Sequence, residues 1–167
     1  RSLLISPRHS ERFIRELNAC ARKRHSKIGF IIVSDTQRGS CLCGAVQFEI
    51  DGAFDSFYLC HCSRCRKDTG SAHAANLFAT SAQLHWRRGE HEVSHFKLQG
   101  TAHSRSFCRH CGSALPGLHM DGALLVVPAG SLDSEVNQSP TAHIFRASAA
   151  NWDHELEQLH AFAGLPE

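Results

Sequence analysis

The chain has 167 residues, 42% of them apolar and 20% charged, with a formal net charge of +2. That balance fits one soluble globular domain and excludes a disordered or fibrous chain, and the longest apolar runs, residues 28–33 and 123–128, fall far short of the roughly 20 residues a membrane helix needs. Residues 1–40 hold nine Lys/Arg against three Asp/Glu and residues 41–167 hold nine against thirteen, so the mildly acidic body argues against a nucleic-acid groove.

Residues 1–34 read as a basic extension ahead of a domain spanning 35–167. Ser10 is placed to cap a helix whose apolar positions are Phe13, Ile14, Leu17 and Cys20, and the basic run Arg22–His25 suits its C-terminal end. Lys27–Val33 reads as a strand. The segment carries no chemistry; it is a solvated appendage or a contact for an acidic partner. Leu3-Leu4-Ile5 is too short for the apolar core of a secretory signal, so the expectation is a cytoplasmic protein with reduced thiols.

From Gly39 onward the pattern is β. In Cys43–Ile50, Val46, Phe48 and Ile50 share one face of a strand, which Asp51-Gly52 ends in a turn. Phe54–Leu59, Ala72–Thr80 and Gln83–Arg87 are further strands, and Arg88-Gly89-Glu90 reads as a hairpin turn into Val93–Leu98. Asp121-Gly122 joins Leu115–Met120 to Ala123–Val127 as a second hairpin. A helix closes the chain, capped by Asn151, with Asp153 and Glu155 in its first turn and Trp152, Leu156, Leu159 and Ala163 on one face. Short strands at regular spacing, without βαβ alternation, predict an all-β sandwich or partly open barrel.

The thirteen histidines and eight cysteines are the anomaly. Seven cysteines fall into three clusters, Cys41-x-Cys43, Cys60-x-Cys62-x-x-Cys65 and Cys108-x-x-Cys111, while Cys20 stands alone as a small apolar residue or incidental thiol. Residues two apart on a strand face one side, and cysteines three apart in a tight turn also converge, so each cluster can present its sulfurs to one ion. The simplest partition joins Cys41, Cys43, Cys108 and Cys111 in a closed structural site. It leaves Cys60, Cys62 and Cys65 as three ligands with an open fourth position, the pattern of catalytic zinc. Three alternatives remain: a redox dithiol at Cys62 and Cys65, closure of the second site by His61, His110 or another histidine, and disulfides throughout. A competing motif, His91-Glu92-x-x-His95, matches the zinc-protease pattern but runs into strand-like sequence, where that mechanism needs a helix.

These residues resemble the glutathione-dependent formaldehyde-activating enzyme family, which includes centromere protein V. Gly39–Val46 is similar to its opening, Cys60-His61-Cys62-Ser63-Arg64-Cys65-Arg66-Lys67 with Thr69-Gly70-Ser71 to its central motif, and Arg105–Ser113 to its third. Ala129–Asp133, Pro140, His143-Ile144-Phe145 and Trp152 fit its tail. The resemblance covers about residues 38–155 and leaves 1–34 outside it. It implies a zinc-stapled β fold similar to the zinc-containing exchange-factor chaperone of Rab GTPases. It implies two zinc ions per chain in the partition above, and a carbon–sulfur lyase-like enzyme on a small thiol adduct, joining glutathione and formaldehyde. A thiol substrate would use the open position of the second site. The alternative is a non-enzymatic zinc-stapled scaffold. His61, Thr69, His73, Asn76 and Arg105 lie in or near the motifs as pocket or packing residues.

Overall fold

The computed structural model describes residues 36–166. The expected N-terminal helix, the strand over Lys27–Val33 and Cys20 lie outside the described residues. Among the described residues, eleven strands form three sheets. In the first, β1 (Thr36–Ser40), β2 (Gln47–Asp51) and β5 (Gln83–Arg88) are antiparallel, with β2 central. The second has the order β11 (Ala142–Ile144), β3 (Ser56–Cys60), β4 (Ala74–Ala79), β10 (Leu124–Pro128), β9 (Gly117–His119), antiparallel except for the parallel β11–β3 pair. The third is β6 (Val93–Lys97), β7 (Ser104–Cys108) and β8 (Ala114–Leu115). The all-β reading therefore holds.

The alternation predicted for β2 is what the core uses. Val46, Phe48 and Ile50 are buried, Gln47 is exposed, and the Phe48 ring meets Trp86 edge-on at 6.0 Å. Each such fully buried side chain stabilises the fold by about 1.5–3 kcal/mol through area removed from water. Phe57, Leu77, Leu115, Leu125 and Val127 complete the core, and the sulfur-bearing Cys41 and Cys108 are part of it. One cysteine cluster is thus built into the edge of the hydrophobic core.

Three expectations about the strands need correction. The strand holding Cys43 begins only at Gln47; Cys41 and Cys43 lie in a turn closed by Gly44 N–H donating to the Cys41 carbonyl at 2.9 Å. The Arg88–Glu90 turn does not make a hairpin: β5 pairs with β2 and β6 with β7, so Gly89, at φ 69°, carries the chain from one sheet to the next. Leu115–Met120 is two strands, split at Pro116, where the chain leaves β7 for β10; proline has no N–H for a ladder. The Asp121-Gly122 hairpin itself is observed, joining β9 to β10.

The C-terminal helix is absent. Residues 151–166 form turns and a single 3₁₀ turn, Leu156–Gln158, entered through Glu155 at φ 52°. Trp152 and Leu159 of the expected apolar face are exposed and Leu156 is only partly buried, so a helix here would gain little burial, and a short, poorly packed helix is marginal in water. Asp153, read as a first-turn acid, is instead buried. The α-helix found among the described residues, α1 (Ser63–Thr69), is one the sequence pattern does not predict. It has no buried residue and so no apolar periodicity to read; Cys62 caps its start and Gly70, at φ 65°, ends it.

Candidate metal centres

The structure brings the predicted sulfurs together in two groups: Cys41, Cys43, Cys108 and Cys111, and Cys60, Cys62 and Cys65. Within each group all Sγ atoms lie within 4.8 Å of one another. Four sulfurs at about 2.3 Å from an ion in tetrahedral array stand about 3.8 Å apart. Cys41 and Cys43 are 3.5 Å apart and Cys43 and Cys108 3.8 Å apart, so the four-cysteine group fits a tetrahedral thiolate site.

Two similar turns build that group. Gly44 and Gly112 follow their cysteines at φ 71° and 73°, the left-handed region glycine enters without strain, and each donates its N–H back to the first cysteine of its turn, Cys41 or Cys108. The Val46 N–H donates to Cys41 Sγ at 3.2 Å. The Ser113 hydroxyl lies 3.2 Å from Cys111 Sγ and, with the Ser113 N–H, holds that thiol down to about 5; the same hydroxyl accepts the Leu42 N–H. The Ala45 N–H favours the Cys43 thiolate, but the Cys41, Cys111 and Cys108 thiols and burial together outweigh it and push Cys43 up to about 11. These donors suit bound thiolate.

The three-cysteine group joins the end of β3 to the start of α1. Cys62 Sγ accepts the Cys65 N–H at 3.4 Å. Thiols of Cys60 and Cys65 donate to Cys62 as well, and together these hold it down to about 2, while Cys60 is pushed up to about 11 and Cys65 is raised by its two neighbours. One thiolate flanked by two thiols is a donor set ready to lose protons to a metal. Among the described residues no histidine or carboxylate joins this group. His61 cannot: its Nδ1 lies 2.5 Å from Asp153 and its Nε2 2.7 Å from His143. His110 sits at the other group, on Glu92.

The zinc-protease arrangement is not formed. His91 lies in a 3₁₀ turn and His95 on β6, bonded to Ser106. Glu92 serves another purpose. It accepts from Arg109 Nε and from His110 Nε2 at 2.8 Å, and its backbone carbonyl accepts the Arg109 N–H, so it grips both residues between Cys108 and Cys111. Arg109 and His110 hold the Glu92 carboxyl below the usual carboxylate range.

Arg105 links the two groups. It donates to the Asp68 carbonyl at 3.0 Å and carboxylate at 2.8 Å on α1, and to the Gly112 carbonyl at 3.3 Å beside Cys111, while lying 5.2 Å over the Phe107 ring. The sequence places Arg105 near a motif but gives it no role, because its partners are 37 and 7 residues away and leave no local signal. His73 stands beside His61, ring centroids 5.1 Å apart. Thr69 bonds the Cys65 carbonyl, which places it in helix closure, and Asn76 lies within the β3–β4–β10 ladder.

Among the described residues, two thiol clusters on an all-β scaffold, one of four cysteines and one of three, could each hold a metal ion. The sequence model of the glutathione-dependent formaldehyde-activating enzyme family matches residues 36–148. A Halomonas elongata protein, provisionally named a glutathione-dependent formaldehyde-activating enzyme, is 33% identical over 138 residues, covering 77% of this chain and 88% of that protein. A solved structure of a Rhodobacter sphaeroides protein superposes with a TM-score of 0.49 at 23% identity, over 64% of this chain and 98% of that one. The chain belongs to the glutathione-dependent formaldehyde-activating enzyme family, and is by that membership an enzyme. No helix among the described residues is long and apolar enough to cross a membrane.

Proposed function

We propose that this protein joins glutathione to formaldehyde, giving S-hydroxymethylglutathione, with two zinc ions per chain in unequal roles. Cys41, Cys43, Cys108 and Cys111 hold a structural ion. Cys60, Cys62 and Cys65 hold a second ion whose fourth position no described residue supplies. The observation that carries this reading is the count of converging sulfurs: four in one group, three in the other, with His61 committed elsewhere.

In the reaction the thiol sulfur adds to the carbonyl carbon, the C=O π pair moves to oxygen, and the thiol proton ends on that oxygen. A zinc ion held by Cys60, Cys62 and Cys65 would supply Lewis acidity and favour the thiolate form of a bound thiol. The protein's own contribution is placement. The Cys65 N–H donates to Cys62 Sγ and stabilises negative charge there, and Arg105 fixes α1 through Asp68. The small thiol is the substrate-class partner, and a reducing cytoplasm, which keeps the clustered thiols free, is the compartment that suits it.

The test is formation of S-hydroxymethylglutathione followed by NMR in mixtures of glutathione and formaldehyde. The intact protein should raise the rate above the spontaneous reaction, and Cys62→Ser should remove the increase while the domain stays folded. No increase with the fully metal-loaded protein would overturn the reading in favour of a scaffold.

A further inference from the structure

We infer that Asp153 is a positioning residue for the three-cysteine group, acting through His61 and assisted by Arg146; the inference rests on that group being the reactive metal site. The argument begins with the backbone. His61 separates Cys60 from Cys62 in extended chain: its N–H donates to the Ile144 carbonyl at 2.9 Å, continuing the β3–β11 ladder, and Cys62 has φ −64° and ψ 152°. In extended chain successive side chains point to opposite sides. The two cysteines therefore face one way and His61 the other, so whatever holds the His61 ring sets the separation and aim of both sulfurs.

The ring is held completely. His61 is 1% exposed, and both nitrogens have partners. A carboxylate at 2.5 Å can only accept, so His61 Nδ1 carries the proton and donates to Asp153 Oδ2. His61 Nε2 lies within hydrogen-bond distance of His143 Nδ1, at 2.7 Å. Arg146 Nη1 donates to the same Asp153 oxygen at 3.0 Å, which also explains its approach to His61 Nδ1, and Arg146 Nη2 donates to the Asp153 carbonyl at 3.2 Å. Asp153 is thus the one acceptor on which His61 and Arg146 converge. It lies 92 residues from His61, beyond the residues the family model matches, in a terminal segment whose large apolar side chains are exposed. A buried carboxylate in such a segment has this contact as its evident purpose. Partners that orient ligands from behind typically change metal affinity about 10- to 100-fold when removed.

Cobalt titration of metal-free protein tests the inference, the sulfur-to-cobalt charge-transfer bands reporting each site. Wild type should take two equivalents. Asp153→Asn should bind the first, four-thiolate equivalent as wild type does and lose affinity for the second by about 10-fold or more, and Arg146→Gln should show a smaller loss in the same equivalent. The four-thiolate band certifies folding within the same sample; should Asp153→Asn fail to fold, Arg146→Gln, altered at a half-exposed side chain, decides. Unchanged affinity for the second equivalent overturns the inference, as does parallel weakening of both sites with a lowered melting temperature, which is what a merely structural residue would give. A single equivalent in wild type would overturn the metal reading of the three-cysteine group itself, a result separable from either of these.

Discussion

The two cysteine groups are built by the same device and finished differently. In each, the residues between the cysteines are gripped by a distant carboxylate: Glu92 holds Arg109 and His110 at the four-cysteine group, and Asp153 holds His61 at the three-cysteine group. The first grip lies at the surface, with Arg109 and His110 about half exposed; the second is buried, with side chains 1% and 5% exposed. A four-thiolate site defines its own geometry once an ion is present, so it needs little outside help. A three-thiolate site leaves one direction open, and its geometry must be set by the protein. On the proposed reading, the buried polar structure behind Cys60 and Cys62 would set that geometry.

The sharpest way to break the comparison is to remove one sulfur from each group. Cys108→Ser should prevent stable folding, because structural zinc thiolate sites contribute on the order of 10–16 kcal/mol of metal binding to the folded state and Cys108 is also part of the core. Cys62→Ser should retain a cooperative melt. Equal losses in the two variants, read by thermal unfolding, would show that both sites are structural.

Arg105→Gln should cost about 1.5–3 kcal/mol, the usual worth of hydrogen bonds from a charged donor, since it removes the bonds to Asp68 and Gly112 that tie the groups together. Chemical denaturation measures it. A loss near zero would mean the two groups are anchored independently.

The buried grip also has a pH signature. Burial alone would raise the Asp153 carboxyl, but the bond from His61 and the charge of Arg146 prevail and hold it below its ordinary value of 3.8. A carboxyl depressed in the folded state contributes stability that is present above the ordinary carboxylate value and is lost as pH falls through the folded one. The stability difference between wild type and Asp153→Asn should therefore be full at neutral pH and close as the pH falls below about 4. A difference that persists undiminished in acid would assign it to packing.

Glu92→Gln should have the smallest effect, a change in melting temperature near the limit of measurement, because its ion pairs are exposed and screened. A large effect would erase the contrast between the two grips.

How legible each region was in the sequence follows from the range of its contacts. The β2 face was readable because Val46, Phe48 and Ile50 alternate over consecutive positions, and the cysteine groups because short spacings bring sulfurs together whatever the surrounding fold. Asp153 reads in the sequence as a helix-start acid because its partner is 92 residues distant and the apolar spacing of Trp152, Leu156 and Leu159 imitates a helix, although Trp152 and Leu159 are exposed. Helix α1 was invisible for the opposite reason, being set by the Cys62 cap and the Gly70 end without any buried face. Glu92 and His91 formed a protease-like string whose meaning changed once β6 paired with β7.

The most direct test of the central claim, one closed site and one open site, is the cadmium-113 NMR spectrum of cadmium-substituted protein with and without glutathione. The account predicts two resonances, of which the four-thiolate one stays fixed and the other moves on addition of glutathione. A single resonance, or two that both ignore glutathione, would contradict it.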